Sequence, residues 1–120
     1  EDFSTYITID NRAGADDLTL TSSDAKKGYF VVPPPPRVPR GQIARFWIQD
    51  KIGGAGTEGT AIYQGANGPV SLRFGCPTGM NGNLAAGADF RARSGSDRST
   101  GTLNDRPHFG HPFYVQFVTA

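Results

Sequence analysis

The sequence predicts an all-β protein, a single-domain antiparallel β-sandwich over residues 1–120. The first observation is a set of short β-branched and aromatic runs that alternate with polar residues, the period of a strand with one buried face. The second is the presence of 16 glycines and 9 prolines in 120 residues, a composition typical of many short strands joined by tight turns. The third is that no stretch has the apolar periodicity of an amphipathic helix.

The segment 56–83 is expected to form the centre of the fold. A β-branched and aromatic run over 60–64 is followed by Gly-Ala-Asn-Gly-Pro and then by a second alternating run over 70–76. Asn67 and Gly68 both tolerate positive φ, which predicts a hairpin turn at these two residues. The following stretch, 76–83, is rich in Gly, Asn and Pro and is expected to be a shaped loop.

Other runs predict further strands on either side of this hairpin. The expected ranges are 5–10, 18–21, 28–32, 43–49, 89–92 and 113–119. The first two should pair as a hairpin, and 21–28 should be a polar turn. The four prolines at 33–36 should end pairing and form a rigid polyproline connector crossing the sandwich, although PPPPRVP also has the form that SH3-type grooves accept. Residues 93–107 should be a polar loop.

Composition narrows the classes of function. The formal net charge of +1 gives no overall electrostatic reason to expect nucleic acid as a partner. No run approaches the roughly 20 apolar residues of a membrane-spanning helix. The single cysteine, Cys76, cannot form an internal disulfide and is most simply a small buried hydrophobe.

Catalysis and metal binding have little support in the sequence. A nucleophile elbow, a phosphate-binding loop and a CxxC pair are all missing, so Cys76 with His108 or His111 is the one nucleophile–base pairing available. The two histidines are three residues apart, but no third ligand lies nearby in sequence to complete a metal site. We therefore expect no enzyme activity, no cofactor and no metal.

The motifs of this chain resemble those of the aegerolysin family. Three segments carry the resemblance: Ile-Thr-Ile-Asp-Asn at 7–11, GTEGTAIY at 56–63 and Cys-Pro-x-Gly-x-Asn at 76–81. Within that family the chain is most similar to the small component of bacterial binary insecticidal crystal toxins. The resemblance implies a β-sandwich of the aegerolysin/actinoporin-like type.

The resemblance also implies a cytolysin or toxin component that binds a membrane lipid or cell-surface receptor. It implies a larger pore-forming partner, allows a homo-oligomer on membranes, and places synthesis in the producer's cytoplasm and action at the target-cell membrane. Many aegerolysins have tryptophans around the Cys-Pro loop, where this chain has Phe74 and Thr78 and its single tryptophan is Trp47. The alternative function is a soluble carbohydrate- or protein-binding module without membrane activity.

The candidate lipid-contacting residues are aromatic or lie in the GTEGT run. They are Tyr29, Phe30, Trp47, Glu58 and Tyr63. Each also has a structural interpretation, a strand core position for Trp47 or a loop cap for Glu58. A weak phosphate site at Arg91, Arg93, Arg98 and Arg106 is a further hypothesis, weighed against a merely solvated loop.

Overall fold

A computed structural model describes residues 2–79, 82–94, 97–101 and 110–120, with residues 97–101 described through their backbone alone. In these ranges the chain forms two β-sheets. The strands are β1 (Thr5–Asp10), β2 (Leu18–Lys27), β3 (Tyr29–Val32), β4 (Arg37–Val38), β5 (Ile43–Gln49), β6 (Gly56–Gly65), β7 (Gly68–Pro77), β8 (Leu84–Ala86), β9 (Asp89–Ser94), β10 (Asp97–Gly101) and β11 (Phe113–Val118).

The two sheets pack face to face, which confirms the predicted β-sandwich. The six-stranded sheet has the order β10-β9-β11-β1-β5-β3, and the five-stranded sheet has the order β4-β2-β6-β7-β8. Neighbouring strands are antiparallel except β1 and β11, which run parallel. The first and last strands therefore lie side by side in the middle of the larger sheet.

The core fills the space between the sheets with alternate residues of β1, β5, β6, β9 and β11, as the pleat of a strand with one buried face requires. Its largest fully buried side chains include aromatic and aliphatic residues of both sheets. They include Tyr63, Phe46, Phe74, Phe113, Phe117, Ile7, Ile9, Ile48, Leu72 and Val38. The rings of Phe46 and Phe74 meet edge to face across the sandwich, with their centroids 5.6 Å apart.

The central hairpin is confirmed as β6 and β7, the longest antiparallel pair of the five-stranded sheet. Its turn lies one residue earlier than predicted. Gly65 pairs with Gly68, so the two turn residues are Ala66 and Asn67, and Gly68 with its positive φ of 117° begins β7. The predicted loop after β7 falls partly outside the described residues, at 80 and 81.

Two sequence predictions about β2 are wrong. Residues 21–28 do not form a turn, because β2 continues to Lys27 through two register shifts against β6. β2 also does not pair with β1, since the two strands belong to different sheets. The polar composition of 21–27 misled the prediction: these residues lie on a largely exposed strand whose outer face is in water.

The proline segment is a connector between the sheets, as predicted. β3 lies in the six-stranded sheet and β4 in the five-stranded sheet, so residues 33–36 cross the edge of the sandwich. The Tyr63 hydroxyl donates a hydrogen bond to the Pro35 carbonyl oxygen (2.8 Å). The Leu20 N–H donates a hydrogen bond to the Pro36 carbonyl oxygen (2.8 Å). Proline carbonyls retain their acceptor capacity, and these two bonds attach the connector to the core.

Candidate functional site

A row of stacked aromatic side chains crosses the outer face of the six-stranded sheet. Tyr6 of β1 lies opposite Trp47 of β5 and opposite Tyr114 of β11. The ring centroids are 5.0 Å apart for Tyr6 and Trp47 and 4.9 Å apart for Tyr6 and Tyr114, with planes inclined by 22° and 16°. We call Trp47, Tyr6 and Tyr114 the aromatic row. It exists because facing residues of adjacent strands bring their side chains together on one face.

A guanidinium group closes one end of the aromatic row. Arg93 of β9 lies opposite Tyr114, and its Cζ atom is 3.5 Å from the centroid of the Tyr114 ring. This is a cation–π contact. The Tyr6 ring has a neighbour on each side and the Tyr114 ring lies between Tyr6 and Arg93. The faces of both tyrosine rings are therefore occupied, and these two residues present ring edges and polar tips to a ligand.

A cleft of about 540 Å³ lies at the Trp47 end of the row. Its walls are the N-terminal residues 2–4, the rings of Tyr6 and Trp47, and the loop 49–54. Burial, followed by the nearby Asp2 carboxylate, raises the pKa of the Tyr6 phenol. The phenol therefore stays protonated at neutral pH and keeps its hydrogen-bond donor.

The loop that forms one wall of this cleft carries a fully exposed apolar side chain. The Gly54 N–H donates to the Lys51 carbonyl oxygen (2.9 Å), and Gly53 has φ of +73°, the geometry of a type II β-turn whose third residue must be glycine. Ile52 occupies the second position of this turn and is 107% exposed. Aliphatic side chains at such positions lose no contact when they leave water for an apolar phase.

The GTEGT run holds the opposite wall of the cleft in place. The Thr57 hydroxyl is buried, donates to the Phe3 carbonyl oxygen (2.7 Å) and lies 2.9 Å from the Thr5 hydroxyl. A Cβ at Gly59 would lie 2.7 Å from Cε1 of Phe74, so only glycine lets this ring pack against β6. The motif therefore positions the N-terminal residues and the core.

Three of the five predicted lipid-contacting residues lie in or beside the six-stranded sheet, and two of these reach its outer surface. Trp47 is half-buried in the aromatic row, so the interpretation that placed it in the core is wrong. Tyr29 is 44% exposed on the edge strand β3, opposite Gln49. Phe30 points inward, and its centroid is 6.3 Å from that of Phe46 and 6.4 Å from that of Phe74. Phe30 is partly buried and packs against the core, which agrees with the structural interpretation that the sequence also allowed.

The other two predicted residues do not join this surface. Tyr63 is 0% exposed and its hydroxyl bonds to the connector, so the prediction that it contacts lipid is wrong; burial also raises the pKa of its phenol. Glu58 lies on the outer face of the five-stranded sheet, where its carboxylate is 3.5 Å from the Lys26 ammonium. Glu58 and Trp47 thus lie on opposite outer faces, which one flat membrane cannot contact together.

Cys76 is confirmed as a small buried hydrophobe. Its side chain is 0% exposed, its Sγ lies 3.6 Å from the Gly110 carbonyl oxygen, and burial raises the pKa of the thiol to about 12. His111 is exposed and packs on Phe3 with ring centroids 4.4 Å apart. His108 lies outside the described residues. Across the described part of the chain, no group of three or more His, Cys, Asp or Glu side chains could hold a metal ion.

The predicted arginine loop is in part a strand. Arg91 and Arg93 are exposed on β9, while Arg98 belongs to β10, whose side chains lie outside the description, and Arg106 lies outside the described residues altogether. Sequence analysis missed Ile52, Tyr6 and Tyr114. An isoleucine isolated between a lysine and two glycines was a signal for Ile52, but nothing local to either tyrosine shows that distant strands place the two side by side.

Comparison with known proteins identifies a shared fold. No family model and no curated protein sequence matches this chain. Among solved structures, the chain is similar to the lipid-binding protein Nakanori, with a TM-score of 0.65 and 14% identity over 96% of this chain and 69% of that one. The likeness shows that the two proteins share a fold. No helix in the described ranges is long and apolar enough to cross a membrane.

Proposed function

We propose that this protein binds the lipid surface of membranes through the cleft and the turn that carries Ile52. The observation that carries the proposal is the complete exposure of Ile52 at the tip of a turn beside an aromatic cleft. Leaving such a side chain in water costs about 1.5–3 kcal/mol relative to full burial. An apolar phase adjoining the cleft would recover that free energy, and no other large hydrophobic side chain of the described residues is as exposed.

The neighbours of Ile52 have the chemistry of a membrane interface. Tryptophan and tyrosine favour the headgroup level because one end of each ring system is apolar and the other is polar. Tyr6 and Trp47 both line the cleft, so insertion of Ile52 would bring them to that level. Lys51 precedes Ile52 and is exposed, which lets its ammonium group remain among phosphates while its aliphatic stem contacts acyl chains.

The shared fold supports this assignment. The similar structure is described as a lipid-binding protein, and the alignment covers 96% of this chain. The sequence motifs resemble aegerolysins, for which membrane binding is expected. The fold and the motifs therefore both favour a lipid ligand. The turn that carries Ile52 adds a candidate lipid contact that follows from neither the fold nor the motifs.

The finer function that we propose is that of a toxin component. Bound at a target-cell membrane after synthesis in the producer's cytoplasm, the protein would position a larger pore-forming partner and could assemble into a homo-oligomer there. The support for this is the resemblance in sequence alone. We therefore expect the purified protein to bind dye-loaded vesicles without releasing dye, and we propose a binding protein rather than an enzyme.

The alternative of a carbohydrate-binding module is less compatible with the aromatic row. Sugars stack on open ring faces, whereas both faces of the Tyr6 ring are covered and Tyr114 lies between Tyr6 and Arg93. At these two tyrosines only an edge-on approach remains, which provides hydrogen bonds but little stacking area.

Co-sedimentation with vesicles tests the proposal directly. The purified protein is mixed with vesicles of phosphatidylcholine, of sphingomyelin with cholesterol, or of insect gut membranes, and then centrifuged. We expect the protein to pellet with at least one preparation. Folded protein that stays in the supernatant with every preparation would contradict membrane binding and favour the soluble module.

A further inference from the structure

The outer face of the six-stranded sheet also carries three exposed arginines. Arg45 lies on β5, and Arg91 and Arg93 lie two residues apart on β9. We call these three residues the arginine face. The pairing register places Arg45, Thr8, Gln116 and Arg91 in one row across β5, β1, β11 and β9, directly beside the aromatic row.

The arginine face has little negative charge to balance it. The ion pairs found among the described side chains involve Arg12, Lys26 and Arg37, and none of the three arginines. Asp10 shares this face, but both of its oxygens accept hydrogen bonds from Arg12 and one also accepts from Gln116. Asp89 is the remaining described carboxylate of this face, at the far end of β9, and it forms no ion pair with Arg91.

The spacing of the arginines suits a phosphate group. Arg45 and Arg91 are separated by three strand spacings, or about 14 Å, and Arg91 and Arg93 by about 7 Å along one strand. Thr8 and Gln116 lie between Arg45 and Arg91, and the Gln116 side-chain amide donates a hydrogen bond to Asp10. The long side chains of Arg45 and Arg91 can lean toward each other over these two residues, and each guanidinium group can bind phosphate oxygens through two parallel N–H donors.

We propose that the arginine face binds the phosphate groups of anionic phospholipids, so that the protein prefers anionic membranes to zwitterionic ones. This inference rests on the proposed membrane binding and adds the class of headgroup. The aromatic row is next to the arginine face in the register, and its residues Tyr6 and Trp47 also line the cleft beside Ile52. Single-stranded nucleic acid fits less well, because bases need open ring faces for stacking and the tyrosine faces are covered.

The test compares vesicles of phosphatidylcholine with vesicles that also contain phosphatidic acid, at low and at high salt. The double variant Arg45→Gln/Arg91→Gln removes two charges from the arginine face. The matched control, Lys27→Gln/Arg73→Gln, removes two charges from exposed positions of the five-stranded sheet. Thermal unfolding of each variant confirms that it is folded.

We expect the protein to bind anionic vesicles more tightly than neutral ones, with the preference decreasing as salt rises. Each basic residue near an anionic surface contributes about a fivefold gain, so the arginine double variant should bind anionic vesicles about 25-fold more weakly. Its binding to neutral vesicles should not change. The control double variant should keep most of the affinity for anionic vesicles.

Several outcomes would overturn the inference. If the protein bound anionic and neutral vesicles equally well, the preference for anionic lipid would be refuted while membrane binding remained. If both double variants lost the same affinity for anionic vesicles, the effect would come from net charge alone. Full competition by inorganic phosphate would identify a soluble phosphate site, and tighter binding to a sulfated polysaccharide than to vesicles would identify a glycan site. Binding to neither vesicle type would instead remove the proposed function itself.

Discussion

Replacing Ile52 by asparagine should weaken membrane binding and leave folding intact. At 107% exposure the side chain has no packing to lose, so the free energy of unfolding should change by no more than about 0.5 kcal/mol. Insertion of an isoleucine side chain into an apolar phase is worth about 1.5–3 kcal/mol. The dissociation constant for vesicles should therefore rise about 10- to 150-fold.

The single tryptophan provides the assay. Trp47 lines the cleft beside the turn, so its fluorescence should shift to the blue when the cleft meets a bilayer. Titration with neutral vesicles gives the dissociation constant, and urea unfolding of the same samples gives stability. Ile52→Leu is the matched control, because it preserves apolar volume at the same position of the turn and should retain nearly all of the affinity.

Two results would refute this reasoning. If Ile52→Asn bound vesicles as tightly as the unmodified protein, the exposed turn would not be the membrane contact. If Ile52→Leu lost as much affinity as Ile52→Asn, the loss would come from the conformation of the turn rather than from apolar insertion.

Three further predictions concern groups away from the turn. Tyr63→Phe should lower the free energy of unfolding by about 1–2 kcal/mol, because the Pro35 carbonyl oxygen loses its donor, and should not change vesicle affinity; weaker binding at unchanged stability would contradict this. Hydrogen bonds from Arg12 hold the pKa of Asp10 at about 2. The ionised Asp10 carboxylate therefore adds to the free energy of unfolding above about pH 4, and this contribution is lost as pH falls through 2. Asp10→Asn should accordingly cost about 1 kcal/mol in urea unfolding at pH 7 and almost nothing at pH 2, whereas an equal cost at both pH values would exclude the ionised carboxylate as the cause. A thiol reagent should modify Cys76 only as the protein unfolds in urea, and rapid modification of the native protein would contradict its burial.

Local sequence patterns determine much of the fold. The period-two alternation of 5–10, 43–49 and 113–118 identified three of the four central strands of the larger sheet, since one buried face imposes that pattern on any strand. The same argument located both strands of the central hairpin. It failed for 21–27, because the exposed part of a strand has no apolar face and its polar residues are indistinguishable from those of a turn.

The candidate site was predictable only in part. Trp47 was identified by residue type alone, since tryptophan suits membrane interfaces. The same argument predicts Phe30 and Tyr63, yet Tyr63 is fully buried and Phe30 packs against the core, because an aromatic side chain fills a core as well as it contacts a lipid. The position of Ile52 between a lysine and two glycines was a local signal, but only the folded chain shows that its side chain is fully exposed beside the cleft.

The sequence by itself determined an all-β chain, its central hairpin, its proline connector and a buried cysteine, all of which follow from interactions between near neighbours or from residue type. The tertiary structure decided which strands lie side by side. Tyr6 and Tyr114 are more than a hundred residues apart, yet the parallel pairing of β1 and β11 stacks their rings. The same pairing gathers Arg45 and Arg91 on one face, which the net charge of +1 gave no reason to expect. Composition records how many charges a chain has, but only the packing of its strands determines which face they share.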